Sequence, residues 1–559
     1  MTFPQDIERI LTEAQQLYRA GKTSQAQRLC ERVLAHRPNH SSARHLLAMT
    51  CLAAGNLPAA IGSLELLLAD EPGNADVHHS LGGALSRAGR VEDAKRHLEQ
   101  ATTIDPRNID SYVSLAQLHL KCNRPKEAEA SYRQALSVAP DHSGVLNNLG
   151  SLLADHGNPA EGLQYLRHAL AKGSENAVVH YNIAKSLKQL DMPELAIEHY
   201  RKAVRFQPDL YNAWHNLGNL LIDLGRKADA SEAYGVAVKI KRRPEGPWHP
   251  PDQFRKTTRT KLLHDIEQLQ YLIERQILPG STRKTVAYYK AALAALPEAM
   301  EATDIVDIPR KHLIKLAPTY NRLIYWKESP ALSGPVINPR LDTAGIEAEY
   351  LTNRPGYATI DKFLTPEALA ALRRFCLEST IWFHFRYTNG YLGAFMDDGF
   401  CCPLLLQIAE ELRRALPGIF GNHMLRKLWA YKYDSRLSGI PIHADFAAVN
   451  VNFWITPDEA NLDPKSGGLI FWDKEAPLEW DFETYNANEP AIRQFLVESG
   501  AKSVNVPHRQ NRVAIFNSDL FHKTGEIRFR EGYENRRINI TMLFGKRGDA
   551  NRQMAQCQA

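Results

Sequence analysis

A period of 34 residues runs through the first 242 residues of the chain. On this grid stand Pro38, Pro72, Pro106, Pro140 and Pro208, with Ser174 and Arg242 at the two positions that lack a proline. Small residues recur at two places in each unit: Ala14, Ala48, Gly82, Ala116, Gly150, Ala184 and Gly218, and twelve residues later Ala26, Ala60, Ala94, Ala128, Gly162, Ala196 and Ala230. Small side chains let two antiparallel helices approach closely, and proline ends the second helix. The period therefore predicts stacked helix pairs.

This pattern resembles the tetratricopeptide repeat, with seven units over about residues 7–242. The resemblance implies an all-α superhelix whose concave surface usually binds other polypeptides. Asn148, Asn182 and Asn216 share one repeat position. A ladder of amides can donate to and accept from an extended peptide backbone, and it resembles the ladder of the tetratricopeptide superhelix in O-GlcNAc transferases. Alternatively, these asparagines bond neighbouring helices. Thr12 and Leu46 stand at that position in the first two repeats, so we expect a peptide groove only in repeats three to seven.

The bulk properties exclude several classes of protein. A chain of 559 residues is too long for one core and predicts several domains. A net charge of +5 gives no reason to expect a nucleic-acid partner. The sequence has no apolar run of membrane-spanning length and begins without a signal peptide. The seven cysteines contain no CxxC pair, which favours reduced thiols and a cytoplasmic location. No feature indicates an oligomeric state.

Four regions follow from these patterns. The repeats cover 1–242, a basic, proline-rich linker with bracing helices covers 243–352, a third domain covers 353–546, and a polar tail covers 547–559. Helical spacing predicts helices near 262–273, 282–296, 310–326, 365–376 and 403–415, and alternation predicts strands over 357–363, 427–433, 449–455, 468–472, 512–517 and 537–544. Short strands of this kind suit a double-stranded β-helix, which is a form of jelly roll, with flanking helices.

The third domain contains a candidate metal site. His443 and Asp445 are two residues apart, which on a β-strand would place both side chains on one face. His522 follows Asp445 by 77 residues and could supply a second imidazole from a distant strand. Two histidines and one carboxylate with open coordination positions are typical of non-haem Fe(II) oxygenases, whereas structural zinc sites are closed and rich in cysteine.

Five stretches in this order resemble the 2-oxoglutarate- and Fe(II)-dependent oxygenases of the prolyl-4-hydroxylase type, and more specifically bacterial tetratricopeptide proteins that end in such a domain. They are Tyr433, His443-Ala-Asp445, Ser466-Gly-Gly-Leu-Ile-Phe471, Phe516-Asn-Ser-Asp-Leu-Phe-His522 and Arg537-Ile-Asn-Ile-Thr541. The resemblance implies that His443, Asp445 and His522 hold Fe(II), with 2-oxoglutarate and O2 as co-substrates. It also implies that Tyr433 lines the 2-oxoglutarate pocket.

The distal carboxylate of 2-oxoglutarate needs a buried cation, and Arg537 is a better candidate than Arg536. On a strand, Arg537, Asn539 and Thr541 share a polar face, and so do Asn450, Asn452 and Trp454. Arg537, Tyr433, Asn452, Trp454 and Thr541 are therefore the expected co-substrate contacts.

Each of these assignments has an ordinary structural alternative. His443 and Asp445 could form a hydrogen-bonded pair without a metal, and His522 could simply end a strand. Arg537 could form a surface ion pair, while Asn452 and Trp454 could fill the barrel. The acidic segment 473–504 could be a substrate-facing lid or a surface insertion.

The leading hypothesis is a dioxygenase that hydroxylates a residue of a protein or peptide docked on the repeats, with no catalytic residues beyond the metal ligands. The first alternative is a protein-binding scaffold without catalysis. The second is an oxygenase for a small molecule, with the repeats serving only assembly.

Overall fold

The computed structural model describes residues 3–243, 254–301, 303–353, 355–385, 390–421, 423–434 and 439–548. The chain divides into two compact units, Met1–Pro208 and Asp209–Ala559. Residues 244–253 of the predicted linker and 549–559 of the predicted tail lie outside the described residues. Among the described residues, no helix is both long and apolar enough to cross a membrane.

Helices alone build the described part of the first unit. They are α1 (Phe3–Arg19), α2 (Thr23–His36), α3 (Ser41–Ala53), α4 (Leu57–Asp70), α5 (Ala75–Arg87), α6 (Val91–Ile104), α7 (Ile109–Lys121), α8 (Pro125–Val138), α9 (Ser143–Asp155), α10 (Pro159–Ala171), α11 (Ala177–Gln189) and α12 (Pro193–Phe206). Consecutive helices pair as the 34-residue period predicts.

The periodic residues act as the sequence predicts. Each grid proline follows the end of a second helix by two residues, as Pro72 follows Asp70 at the end of α4. The small residues stand where two helices touch: a Cβ atom on Gly150 would lie 2.7 Å from the carbonyl oxygen of Gly162. Asparagine caps several helices, and the Oδ1 atom of Asn74 accepts from two backbone N–H groups of α5.

The second unit begins with a seventh helix pair, α13 (Tyr211–Asp223) and α14 (Lys227–Lys241). Nine further helices follow: α15 (Arg259–Glu274), α16 (Arg283–Ala294), α17 (Arg310–Leu316), α18 (Thr343–Thr352), α19 (Pro366–Glu378), α20 (Pro403–Ala415), α21 (Pro417–Phe420), α22 (Phe482–Asn486) and α23 (Glu489–Glu498), counted over the described residues. The strands are β1 (Lys256–Thr257), β2 (Val306–Asp307), β3 (Tyr357–Ile360), β4 (Leu392–Phe395), β5 (Leu425–Tyr433), β6 (Val449–Trp454), β7 (Leu469–Glu475), β8 (Ser503–Val506), β9 (Val513–Asn517), β10 (Leu520–Thr524) and β11 (Arg537–Phe544).

These strands form a large sheet with the order β3-β9-β6-β11-β5-β4, a small sheet with the order β10-β7-β8, and the short pair β1-β2, within the described residues. All of the pairings are antiparallel. The large and small sheets pack against each other, because Phe471 of β7 stacks on Phe516 of β9 with ring centroids 5.7 Å apart. Helical repeats are thus followed by a sheet-rich region, as the sequence predicts.

One predicted helix differs from the observed one. The helix expected over 310–326 ends at Leu316, and Asn321 then adopts a φ of 54°, which a continuing helix does not allow. The segment 473–504, for which the sequence left a lid or a surface insertion open, contains α22 and α23 between β7 and β8. The apolar face of α23 is packed through Ile492 and Leu496, which are buried in one cluster with Phe521 of β10.

Candidate metal centre

One cavity of about 580 Å³ in the second unit collects the three predicted metal ligands and four of the five predicted co-substrate contacts. It is lined by His443, Asp445 and His522, together with Tyr433, Asn452, Arg537 and Thr541. These residues come from β5, β6, β10, β11 and the loop that precedes β6. The fold therefore brings together predicted site residues that are up to 108 positions apart in the sequence (541 − 433).

His443 and Asp445 do not lie on a β-strand, which corrects the prediction from their spacing. They belong to the loop between β5 and β6, and His443 forms an isolated antiparallel bridge with His522 of β10. The backbone N–H of each histidine donates to the carbonyl oxygen of the other, at 3.0 and 2.8 Å. The backbone N–H of Asp445 donates to the carbonyl oxygen of Ser518. Pairing with β10 thus brings the three side chains together.

Both imidazoles are held in the same tautomer. The Nδ1 atom of His443 lies 2.9 Å from the carbonyl oxygen of Pro441, and the Nδ1 atom of His522 lies 3.0 Å from that of Leu520. A carbonyl oxygen can only accept, so each Nδ1 carries the proton and donates. Each Nε2 therefore has a free lone pair. This is the arrangement in which protein histidines bind metal ions.

The three candidate ligands lie within reach of one ion. The Nε2 atom of His522 is 3.5 Å from Oδ2 of Asp445, and the Nε2 atom of His443 is 4.0 Å from Oδ1 of Asp445. Two ligands at about 2.1 Å from one ion are at most about 4.2 Å apart, so both distances fit. The ligand atoms of all three residues lie within 4.8 Å of one another, so the side chains need to close by at most about 0.6 Å to share one ion.

The protonation states also suit a metal. Burial, and secondly the nearby His522, lower the pKa of His443 to about 4. Burial alone would raise the pKa of Asp445, but hydrogen bonding to its carboxylate, to which Nδ2 of Asn450 donates, outweighs burial and holds this pKa below its ordinary value. At neutral pH the site therefore offers a neutral imidazole at His443 and a carboxylate at Asp445, the forms that bind metal ions.

Arg537 is a buried cation at the cavity. Its Nε and Nη2 atoms donate to the carbonyl oxygens of Gly467 and Gly468, and the Tyr433 ring lies 4.7 Å from its guanidinium carbon. Among the described residues, no carboxylate pairs with Arg537. Burial lowers its pKa, but a guanidinium stays protonated in proteins. A buried arginine without an acidic partner is well suited to bind an anion.

The Ser466-Gly-Gly turn explains how this arginine is held. A Cβ atom on Gly468 would lie 1.9 Å from the carbonyl oxygen of Val506, so no larger residue fits there. Arg536 points elsewhere: its Nε atom pairs with Glu267 of α15 at 2.7 Å. The two neighbouring side chains therefore point in opposite directions: Arg537, at the start of β11, lines the cavity, and Arg536, just before this strand, does not.

The remaining predicted co-substrate contacts fall into two groups. Thr541 and Asn452 line the cavity and are bonded to each other, with Oγ1 of Thr541 donating to Oδ1 of Asn452 at 2.8 Å. Tyr433 lies within 3.5 Å of the hydroxyl of Thr524. Trp454 does not line the cavity: it is fully buried in the cluster between the two sheets that contains Phe471. Filling the core is the role that the structure gives Trp454.

The cavity has an aromatic wall of which the sequence reasoning found only Tyr433. Trp429, Tyr431 and Tyr433 alternate along β5 and line the cavity together with Tyr391 and Phe395. The rings of Tyr391 and Tyr431 are 4.7 Å apart. The alternation of aromatic residues at 429, 431 and 433 was a usable signal, because residues two apart on a strand share a face.

The segment 473–504 forms part of the cavity. Phe482 and Asn486 of α22 line it together with Phe446 of the loop that holds His443 and Asp445. The Nδ2 atom of Asn486 donates to the carbonyl oxygen of Ala444 at 2.8 Å, and the backbone N–H of Ala444 donates to the carbonyl oxygen of Tyr485 at 2.9 Å. This segment therefore holds the loop between His443 and Asp445.

The seventh repeat reaches the mouth of the cavity. Asp397, which lines the cavity, lies 3.9 Å from the Nε2 atom of His215 on α13. Asn216, the third member of the predicted ladder, is the next residue of α13 and is half-buried. The repeat is held to the sheet region by ion pairs, among them Asp223 with Arg426 at 3.0 Å.

In the first unit, the predicted ladder is partly used within the protein. Asn182 is buried, and its Nδ2 atom donates at 3.0 Å to Oδ1 of Asn147 in the preceding repeat. Asn147 in turn donates to the neighbouring Asn148, which is half-buried. Asn147 and Asn148 line a surface groove of about 520 Å³ that also includes Phe206.

Two family models match the repeats. The one described as the C-terminal domain of cilia and flagella-associated protein 70 matches residues 6–207, and the tetratricopeptide repeat model matches residues 211–244. Similar solved structures include pilF of Pseudomonas aeruginosa, with 20% identity over 37% of this chain and 93% of that chain and a TM-score of 0.34. YrrB, a TPR protein with an unusual peptide-binding site, has 18% identity over 32% of this chain and 92% of that chain, with a TM-score of 0.28.

A thermophilic TPR protein of Thermus thermophilus has 25% identity over 33% of this chain and 99% of that chain, with a TM-score of 0.29. No curated protein matches the chain. The family models confirm the tetratricopeptide repeats that the 34-residue period predicts.

Proposed function

We propose that the second unit is an Fe(II)- and 2-oxoglutarate-dependent dioxygenase whose two facing sheets form a double-stranded β-helix. One observation carries the proposal. His443, Asp445 and His522 converge with both Nε2 lone pairs free, in the same cavity as the buried guanidinium of Arg537, which no carboxylate of the described residues neutralises. A metal ligand set and an anion-binding arginine in one cavity are the two features that this chemistry needs.

The donor set fits Fe(II). Two neutral imidazoles and one carboxylate leave three positions of an octahedral ion open, which suits a non-haem Fe(II) centre and differs from a closed zinc site. His443, Asp445 and His522 would hold the ion, and the carbonyl oxygens of Pro441 and Leu520 fix the orientation of the two rings. When bound, Fe(II) supplies the oxidising chemistry with O2 and 2-oxoglutarate.

The protein groups around the ion bind and orient the co-substrate. Arg537 presents its guanidinium to the distal carboxylate of 2-oxoglutarate, and Gly467 and Gly468 fix that guanidinium in place. Thr541 and Asn452 supply a hydroxyl and an amide along the same wall. Tyr433 covers Arg537 with its ring, which excludes water from the cation.

The substrate that we propose is a residue of a protein or peptide. Tetratricopeptide repeats are protein-binding scaffolds, and the seventh repeat stands at the cavity mouth through His215 and Asp397. Asn216 follows His215 on α13, so a peptide bound at Asn216 would lie near the cavity. Phe446 and Phe482 at the mouth are partly exposed and offer apolar contacts.

Turnover without substrate tests the catalytic part of the proposal. We expect the full-length protein with Fe(II) to convert 2-oxoglutarate to succinate slowly, and His443→Ala and Asp445→Ala to abolish this conversion. His312→Ala, a change in α17 far from the cavity, is the control and should retain it. A wild-type protein that neither binds Fe(II) nor forms succinate would rule the proposal out.

The second candidate is a protein-binding scaffold without catalysis, and the repeat family matches support it directly. The groove beside Asn147 and Asn148 would then be the main functional surface. A third candidate, an oxygenase for a small molecule, needs no partner in that groove. Affinity capture with the full chain separates these candidates. A partner that binds the wild type but not the triple variant of Asn148, Asn182 and Asn216 to Ala supports docking on the repeats. Succinate formation without any captured partner favours a small-molecule substrate.

A further inference from the structure

A chain of four buried hydrogen bonds joins Arg537 to the candidate metal ligand Asp445. The bonds run from Nη1 of Arg537 to Oδ1 of Asn539 (3.2 Å), from Nδ2 of Asn539 to Oδ1 of Asn452 (3.0 Å), from Nδ2 of Asn452 to Oδ1 of Asn450 (2.6 Å), and from Nδ2 of Asn450 to Oδ2 of Asp445 (2.5 Å). The three asparagines are at most 4% exposed. Bulk water therefore does not compete for these four hydrogen bonds.

The direction of this chain is fixed by its two ends. A guanidinium can only donate, so Asn539 must turn its oxygen towards Arg537. A carboxylate can only accept, so Asn450 must turn its amide nitrogen towards Asp445. Asn452, between them, then has one possible orientation. All of the amide dipoles point the same way, from the cation to the anion.

Strand register produces this arrangement. Asn450 and Asn452 lie two apart on β6 and share a face, and Asn452 is paired with Thr541 of β11. Asn539 is two residues before Thr541 and so lies diagonally across from Asn452, within reach of a side-chain contact. Asparagines at 450, 452 and 539 thus form one continuous row along the inner face of the large sheet.

We infer that this row of amides couples anion binding at Arg537 to metal binding at Asp445, so that each ligand tightens the binding of the other. The inference rests on the proposed function and concerns its regulation. The guanidinium polarises the row and draws charge from Asp445, because aligned hydrogen bonds in a low-dielectric interior reinforce one another. An anion at Arg537 cancels that polarisation, and Asp445 then becomes a stronger metal ligand. Asn450, Asn452 and Asn539 are positioning residues in this scheme.

Metal affinity measured with and without an anion tests the coupling. Co(II) is the probe, because its visible absorption reports both binding and ligand number, and glutarate is the anion, because it keeps both carboxylates of 2-oxoglutarate and lacks the keto oxygen. With the full-length wild type, we expect saturating glutarate to lower the Co(II) dissociation constant about fivefold or more. Asn452→Leu keeps the side-chain size and removes both row bonds, together with the bond from Thr541. In this variant the factor should fall to about twofold or less.

Thr456→Val is the matched control. Thr456 is also buried, and its hydroxyl joins the end of β6 to β11 by bonds to the backbone of Arg536 and Ile538, away from the row. It should retain the full wild-type factor. If thermal unfolding shows that Asn452→Leu does not fold, Asn450→Ser replaces it. This smaller side chain removes the hydrogen bond to Asp445, and the effect of glutarate on Co(II) affinity should fall to the same extent.

The outcomes separate this inference from the proposed function. The coupling is overturned if the wild type binds Co(II) and glutarate does not change the dissociation constant. It is also overturned if glutarate changes this constant by the same factor in the wild type and in the folded row variants. Both results leave the metal site in place. Wild-type protein that does not bind Co(II) overturns the proposed function, and the coupling with it. If the effect of glutarate on Co(II) affinity is lost in Thr456→Val as well as in Asn452→Leu, its cause is a general loosening of the sheet. This result also overturns the coupling.

Discussion

Arg242 and Asp398 form a buried ion pair, with Nε of Arg242 lying 3.0 Å from Oδ1 of Asp398. Arg242 stands at the grid position that holds proline in five other repeats, and the Phe383 ring covers its guanidinium at 4.1 Å. Loss of Arg242 would leave the buried carboxylate of Asp398 with Lys241 and His384, each 3.1 Å away, and removing one partner of a buried pair is strongly destabilising. We expect Arg242→Met to lower the free energy of unfolding of the second unit by about 3–5 kcal/mol, measured by urea denaturation.

The adjacent Arg243→Met is the control for this change. The side chain of Arg243 is 53% exposed, and its nearest acidic partner, Asp209, is 3.9 Å away. Surface substitutions of this kind usually change stability by at most about 0.5 kcal/mol. Similar urea midpoints for the two arginine variants would show that the Arg242 pair contributes little.

A second prediction concerns where the chain can be divided. The seventh repeat belongs to the second unit, and removing it would leave the buried Asp398 without Arg242 and Glu410 without Lys227. We expect the fragment 209–559 to unfold cooperatively and the fragment 243–559 to lack a cooperative transition in thermal denaturation. A fragment 243–559 with an unfolding midpoint equal to that of 209–559 would contradict this.

The repeats and the grouping of the three candidate ligands were predictable because each depends on a local or family pattern. Pro72 and Gly150 carry the 34-residue period, and the grouping of His443, Asp445 and His522 follows from the motif order. The membership of the seventh repeat in the second unit was not predictable. It depends on ion pairs such as Arg242 with Asp398, which are 156 positions apart and have no sequence signature.

The same limit applies inside the site. Trp454 was expected at the co-substrate because it alternates with Asn450 and Asn452, but β7 and β9 close over it and bury it in the core. Alternation shows which residues share a strand face. It does not show how far along that face the opposite sheet extends, and this extent decides which of the residues line the cavity. Conversely, the exclusion of Arg536 from the cavity follows from alternation alone.

A third prediction concerns the segment 473–504 and the metal. Asn486 of α22 holds the carbonyl oxygen of Ala444, the residue between His443 and Asp445. Loss of a group that orients metal ligands typically lowers metal affinity about 10- to 100-fold. We therefore expect Asn486→Ala to raise the Co(II) dissociation constant by about tenfold, measured by titration of the visible absorption.

Asn488→Ala provides the comparison for Asn486. Asn488 caps α23 by accepting from the backbone N–H of Ala491 and contacts no metal-binding residue. Its loss should cost about 1 kcal/mol of stability with no change in Co(II) affinity. Equal affinities in the two variants would mean that α22 is only a surface insertion.

The last prediction concerns the pH dependence of the repeats. The Nδ1 atoms of His180 and His199 lie 3.0 Å apart, and His78 and His97 repeat this contact three repeats earlier. Such a contact needs one N–H and one lone pair, so at least one ring must be neutral. Burial, and secondly the charge of His180, lower the pKa of His199 to about 4.

The sign of the effect follows from linkage. His199 has a folded pKa of about 4, below its unfolded value of about 6.5, so the unfolded chain binds more protons between these pH values. The stability from the pair is present above pH about 6.5 and is lost as the pH falls towards 4. We expect the unfolding temperature of the repeats to fall over this window, and His199→Gln to reduce the slope. His36→Gln, which changes an exposed histidine of α2, should leave the slope unchanged. A slope equal in wild type and His199→Gln would assign the acid sensitivity to other groups.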